Sequence, residues 1–278
     1  MLRINIGCGN VYHPNWINLD LVSSSPNVIS WDFRSGIPYD SNTITVCYSS
    51  HLVEHLTQHQ AKSLLIECMR VLKADGVIRL VVPDLEAIAR NYLSTLERSL
   101  SGNVKAQADY DWMMLELFDQ TVRDFSGGEM GKYLSRPELP NHEFILSRIG
   151  YEAECYWQKQ RESLSSPPNL IEKLRSKNLG WLVQKSRIAI AKFFVLIIAG
   201  KESARAFDIG LFRNSGEVHQ WMYDRFSLAR LLEECGFVNI KICQAHESSI
   251  PDFNSYGLDI IDGKVRKPDS LFIEACKP

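Results

Sequence analysis

The first 83 residues hold a succession of short apolar runs, and this succession limits the fold more than any other feature of the chain. Arg3–Ile6 leads, followed by residues 16–20, 28–33, 43–48 and 76–83. Each run is rich in Ile, Val or Leu and too short for a helix, as expected of strands buried on both faces of a parallel sheet. Between the fourth and fifth runs, residues 58–73 place Leu64, Leu65, Cys68, Met69 and Leu72 on one helical face. Thr57 with Gln60 three positions on predicts a capping box, and Gly76 marks the stop. A second helix is expected over 84–98.

Regular alternation ends there. Residues 101–215 contain helical stretches such as 112–118 and 144–160, but no strand of similar clarity. The pattern resumes at Asp224, an N-cap for a helix over 225–235 that Gly236 closes. Two further strands follow at 238–243 and 271–276. The reading is an α/β protein: a seven-stranded, mostly parallel sheet with helices on both faces and a helical insertion after the fifth strand. Residues 1–100 and 216–278 form its core, and 101–215 form the insertion.

Composition narrows the function. At 278 residues, with 45% hydrophobic and 23% charged residues and a formal net charge of −2, the chain lacks the basic excess of a nucleic-acid binder. Its seven cysteines include no C-x-x-C pair, which argues against a disulfide framework and a zinc ribbon. No signal peptide is visible at the N-terminus, so a cytoplasmic location is the expectation. The apolar run 188–199 falls short of the roughly 20 residues that span a bilayer, and Lys192 interrupts it. It reads as a buried helix. A membrane-surface contact through 173–199 is the alternative, because Lys173, Arg175, Lys177, Lys185 and Arg187 precede the run.

Ligands of open parallel sheets bind beyond the carboxyl ends of the strands. Four groups fall there. Gly7, Cys8 and Gly9 follow the first strand, where glycine lets the backbone approach a ligand closely. Asp20 ends the second and can accept hydrogen bonds from ribose hydroxyls. Asp32 and Phe33 end the third, an acceptor beside a flat ring that suits adenine. Ser50 and His51 follow the fourth.

With these motifs in their contexts, "INIGCGN", "NWINLD", "WDF", "VCYSSHLVEHL" and "RVLKADGVIRLVVPD", the chain resembles the class I S-adenosylmethionine-dependent methyltransferases, a Rossmann-like family. Its nearest resemblance is to members found alongside glycan-building enzymes. The later stretch "HQWMYDRFSLARLLEECGF" is similar to the same family. The resemblance implies S-adenosyl-L-methionine as cofactor, with Gly7, Cys8 and Gly9 along its methionine part. It places Asp20 on the ribose, Asp32 and Phe33 on the adenine, and Ser50 and His51 beside the methyl group. It also implies a saccharide or other small hydroxyl-bearing acceptor. The chain departs from the family where Asn5 replaces an acidic residue and Val11 a third glycine. Its connection from Gly9 to Trp16 is also too short for the usual helix.

Transfer to a hydroxyl calls for a base, and histidine is the natural choice near neutral pH. His219, where the insertion returns to the core, is the first candidate and His51 the second, with Tyr223 orienting the acceptor. The insertion is expected to cap the acceptor site or to form a homo-oligomer interface. Gly127 and Gly128 offer it a mobile point, and Arg123, His142 and Arg148 offer contacts to the acceptor. His51, Glu54 and His55 also spell H-x-x-E-H, a zinc-protease pattern. That pattern needs a long helix and a downstream ligand, whereas Thr57 starts a new helix at once, so no metal is expected. A nucleoside-binding protein without catalysis is the alternative to an enzyme. A nicotinamide dehydrogenase is disfavoured because the first loop lacks G-x-G-x-x-G.

Overall fold

The computed structural model describes residues 1–23, 25–165 and 179–278. Seven strands form one sheet: β1 (Arg3–Ile6), β2 (Ile17–Asp20), β3 (Val28–Ser30), β4 (Ile44–Ser50), β5 (Leu72–Pro83), β6 (Val238–Cys243) and, last in sequence, β9 (Ser270–Cys276). Their order is β3-β2-β1-β4-β5-β9-β6, and β9 runs antiparallel to both its neighbours. The other pairs, from β3 across to β5, are parallel. The hairpin β7 (Ile260–Ile261) and β8 (Lys264–Val265) stands apart; its strands are too short to give a periodic signal.

Helix α1 (Gln58–Val71) starts on the expected capping box, with the Thr57 side chain and Gln60 satisfying each other's backbone N–H groups. It stops before residue 73 because Leu72 already pairs with Ile44 in the sheet. The register then jumps, so that Val46 faces Val77, and residues 73–76 bulge out. Leu64, Leu65 and Cys68 of α1 pack on Ile4, Ile6, Cys47, Ile78 and Leu80. Leu228 and Leu232 of α7 (Arg225–Glu234) join the same core.

The opposite face is covered differently. Trp16, Tyr48, Val46, Val81 and Phe272 are sheltered by the chain from Ala245 to Leu258, which includes a short 3-10 helix, Phe253–Tyr256. Arg79, fully buried on β5, holds this cover in place. Its guanidinium donates to Asp259 and Glu274, each at 2.8 Å, and to the carbonyls of Ala245 and Glu247. It also lies 4.7 Å from the centre of the Phe253 ring. Between β1 and β2 there is no helix. The loop is fastened by two buried amides: Asn5 donates to Val11 O at 3.1 Å, and Asn18 donates to His13 O and Trp16 O. Asn5, the departure from an acidic residue, thus has a structural task.

After β5 come α2 (Leu85–Leu100), α3 (Val104–Val122), α4 (Gly128–Leu134), α5 (His142–Ser165) and α6 (Leu179–Arg213). Ile88, Trp112, Met113, Tyr133, Leu134 and Ile145 form a second core among the first four of these. Helix α5 bends at Gly150 (φ 50°), where a Cβ would collide with Pro268. Helix α6 bends at Gly200 (φ 82°). The run expected to be a buried helix is instead exposed, with Ile190, Phe193, Phe194, Ile197 and Ile198 all open to solvent. Lys173, Arg175 and Lys177 lie outside the described residues. No described helix is long and apolar enough to cross a membrane.

Candidate active site

The strand ends build a hollow of about 370 Å³. On one side, β1 runs into Gly7 (φ 70°) and Gly9 (φ 52°), left-handed conformations that glycine adopts without strain. A Cβ on Gly7 would lie 2.8 Å from Leu52 Cδ2, so only glycine lets this turn pass beneath the Leu52 side chain. Asp20, at the end of β2, also faces the hollow. Its carboxylate accepts from the Gly9 N–H at 2.8 Å and the Val22 N–H at 3.2 Å, which fixes its orientation and leaves acceptor capacity for a ligand. Trp31 and Phe33 supply flat apolar walls, and Ser215 and Gly216 close the rim where the insertion returns.

His51 lies in the same hollow. It follows β4 with φ 54°, a conformation that a non-glycine residue holds at some cost. Its ring bridges two partners, with Nδ1 3.0 Å from Glu54 Oε1 and Nε2 2.9 Å from Ser270 Oγ. Burial, then the charges of Lys267 and Arg266, hold its pKa well below the usual histidine value, so the ring is neutral.

Of the other expected site residues, Cys8 sits in the same turn between Gly7 and Gly9 with its side chain buried, and the rest are placed off the hollow. Cys8 is buried, and burial with the Asp20 charge pushes its thiol up to about 11, so it is inert. Asp32 does not line the hollow: it caps the 3-10 helix Phe33–Ser35, and its carboxylate is forked onto Arg34. Ser50 accepts from Arg266 rather than facing the hollow. Tyr223 lines a separate groove with Trp221, His59 and Arg230, and burial pushes its phenol up to about 12. His219 stands behind His55, 4% exposed, their rings edge to face with centroids 4.7 Å apart. The same residue's backbone N–H donates to Gln120 O, so it is locked between the core and α3.

Nor do the expected acceptor contacts in the insertion point at a ligand. Arg123 pairs with Asp119 and Arg148 with Glu116, each at 2.7 Å and buried. His142 stacks on Trp157. The Gly127-Gly128 turn is tied down, since Glu217 accepts from Gly127 N–H and Asp119 from Glu129 N–H, both at 2.7 Å.

Around His51 the structure gathers polar groups that are buried and unsatisfied. Glu54 is 0% exposed; its Oε2 has no hydrogen-bond partner, and its Oε1 has only the His51 contact at 3.0 Å. Nδ1 of His55 and Nδ1 of His219 are also without partners. Burial pushes the Glu54 carboxyl up to about 8 and His55 down to about 4. Each such orphan costs about 1–3 kcal/mol. His55 itself lines the hollow, a role hidden in the sequence because its motif breaks at Thr57. The walls formed by Trp31, Leu52 and the 215–216 rim were likewise missed, although each lies beside or between residues the motifs mark.

A glycine-lined strand end, an oriented carboxylate and aromatic walls at the edge of a parallel sheet define a nucleoside-binding α/β protein. Residues 4–80 match the methyltransferase-domain family, described as "Methyltransferase domain". No curated protein matches the chain in sequence. Among solved structures, it is similar to a SAM dependent methyltransferase from Archaeoglobus fulgidus at 12% identity and a TM-score of 0.37, over 99% of this chain and 86% of that one. It is also similar to the YcgJ protein from Bacillus subtilis (17% identity, TM-score 0.25), over 34% of this chain and 50% of the other. A third is the complex between the Haloferax volcanii Trm112 methyltransferase activator and a candidate methyltransferase (16% identity, TM-score 0.26). There the match spans 31% of this chain and only 47% of that one. Residues 4–80 thus carry a methyltransferase domain, which implies S-adenosyl-L-methionine as cofactor.

Proposed function

We propose that this protein transfers a methyl group from S-adenosyl-L-methionine to a hydroxyl oxygen of a saccharide or other small hydroxyl-bearing acceptor. The observation that carries the cofactor half is the hollow that brings Gly7, Gly9 and Asp20 together with Trp31 and Phe33. Asp20 would hold the ribose hydroxyls, the aromatic pair the adenine, and the glycine turn the methionine part. The cofactor supplies an activated methyl group on a sulfonium with a good leaving group. The protein's share is then alignment, which in favourable cases supplies about 7–11 kcal/mol, and removal of the acceptor's proton. His51, neutral and in the hollow, is the histidine we place against that hydroxyl; to take the proton its Nε2 would exchange Ser270 Oγ, 2.9 Å away, for the acceptor. His219 and Tyr223 would act from behind it. The acceptor class rests on the family resemblance.

The insertion, residues 101–215, is proposed as the cap over the acceptor, because its return at 215–216 forms part of the rim. Its exposed helix α6 is where contact with a membrane surface or a second copy would lie. Titration calorimetry with S-adenosyl-L-methionine, followed by assay of S-adenosylhomocysteine formation with saccharide acceptors, tests the reading. Binding with product formed supports it. Binding with no product across a broad hydroxyl panel favours a non-catalytic nucleoside-binding protein, and absence of binding removes both.

A further inference from the structure

We propose that Glu54, His55 and His219 form a binding site for one divalent transition-metal ion of the zinc class, open towards the hollow. One ligand atom from each of the three lies within 4.8 Å of the others. Tetrahedral zinc holds nitrogen and oxygen ligands at about 2.0–2.1 Å, hence about 3.4 Å from one another. Small side-chain rotations close that gap.

Three independent features support the assignment. The first is that all three residues carry orphaned atoms: Glu54 Oε2 and the Nδ1 atoms of His55 and His219 are buried without a hydrogen-bond partner, while Glu54 Oε1 has His51 Nδ1 3.0 Å away. Buried polar atoms in proteins are overwhelmingly satisfied, so orphaned atoms on three neighbouring residues call for a partner such as a bound ion. The second is rigidity. Glu54 and His55 share the 3-10 turn Val53–His55. The segment carrying His219 is laced to that turn, because Gln220 N–H and Trp221 N–H donate to Glu54 O at 2.7 and 3.2 Å. The third is the outer layer. His51 sits 3.0 Å from Glu54 Oε1 and is itself braced by Ser270, the kind of support that orients metal-binding carboxylates.

Nearby cations do not occupy the place. Lys267 pairs with Glu152 at 3.1 Å, and Arg123 with Asp119 at 2.7 Å. Two imidazoles and one carboxylate, with no thiolate, suit zinc, cobalt or iron(II) better than magnesium or calcium, which prefer all-oxygen sets. Of the three ligands His55 alone lines the hollow, so a remaining coordination position lies on that side. The H-x-x-E-H letters at 51–55 thus contribute two ligands, and the third arrives from position 219, far outside any local pattern. The site stands whether or not the hollow takes S-adenosyl-L-methionine.

The test is metal content and affinity of the full chain. Protein purified without chelators is analysed by elemental mass spectrometry, then stripped and titrated with zinc and with cobalt(II), read by calorimetry and visible absorption. The expected result is about one ion per chain, with ligand-field bands of a four- or five-coordinate cobalt site. Glu54→Gln and His219→Ala each weaken binding by at least 10–100-fold. His59→Ala, an exposed histidine on α1, leaves it unchanged. X-ray absorption of the unaltered zinc-loaded protein shows only nitrogen and oxygen neighbours near 2.0–2.1 Å, a readout that needs no variant to fold. Stripped protein that binds neither ion, binding unaffected by both ligand variants, or a sulfur neighbour at about 2.3 Å overturns the proposal.

Discussion

Asp20 and Asp32 carry the same functional group at the ends of adjacent strands, yet they differ in what is left for a ligand. Asp20 is aimed by two backbone N–H groups and faces the hollow, whereas Asp32 spends its carboxylate on Arg34 and its own helix cap. Hydrogen bonds to a charged group are worth about 1.5–3 kcal/mol. Asp20→Ala is therefore expected to weaken S-adenosyl-L-methionine binding by roughly 10–100-fold in calorimetry. Asp32→Ala is expected to stay within about threefold, near RT in free energy. Gly7 offers a second residue-scale test. Alanine there must adopt φ 70° and push against Leu52, at a cost of about 1–3 kcal/mol. Urea unfolding of Gly7→Ala is expected to show that loss, and a midpoint equal to the parent protein's would refute the close packing.

At the scale of elements, Arg79 decides how the helix-poor face of the sheet is closed. Replacing it by Met leaves Asp259 and Glu274 buried without their cation, for which about 3–5 kcal/mol is the usual loss. Adding Asp259→Asn and Glu274→Gln removes the stranded charges, so the triple variant is expected to unfold at higher urea than Arg79→Met alone. The Glu274 carboxyl has an acid signature as well. Burial would raise its pKa, but hydrogen bonds from Ser248 and Ser249 and the Arg79 charge bring it below the usual value. The stability this contributes is complete above the unfolded value of 4.5 and is lost as pH falls through the lower folded value. Glu274→Gln is expected to flatten the unfolding free energy against pH on the acid side.

Strands β1 to β5, α1 with its capping box and α7 were legible from the sequence, because each is a run whose period and end residues agree. The loop-built cover was not, since Arg79 reads there only as a charge interrupting an apolar strand and its partners lie far along the chain. The same limit applies to the site. Gly7, Gly9, Asp20, Phe33 and His51 announce themselves at strand ends, while the meeting of His219 with Glu54 and His55 depends on how an insertion returns to the core.

The molecule as a whole pairs a sheet core with an insertion whose last helix is little covered by the described residues. Helices α3, α4 and α5 bury Trp112, Met113 and Ile145 against α2, whereas Ala204 is the one buried apolar residue in the described part of α6. Phe193 and Phe194 are each more than half exposed and Ile198 is 80% exposed, too much contiguous apolar surface to stay bare in water without a task. Lys185 and Arg187 precede this run on the same helix, which favours a lipid surface with anionic headgroups over a purely apolar partner. Burying a Phe or Ile side chain contributes about 1.5–3 kcal/mol, so these residues together suffice for weak, reversible adsorption. The protein is expected to co-sediment with vesicles containing anionic lipid, less so as salt is raised. The combined change Phe193→Ser, Phe194→Ser, Ile197→Ser is expected to cut that binding at least tenfold while cofactor affinity stays the same. Should the protein ignore vesicles but form a concentration-dependent dimer that the same changes dissolve, the helix is an interface between copies and the membrane assignment falls.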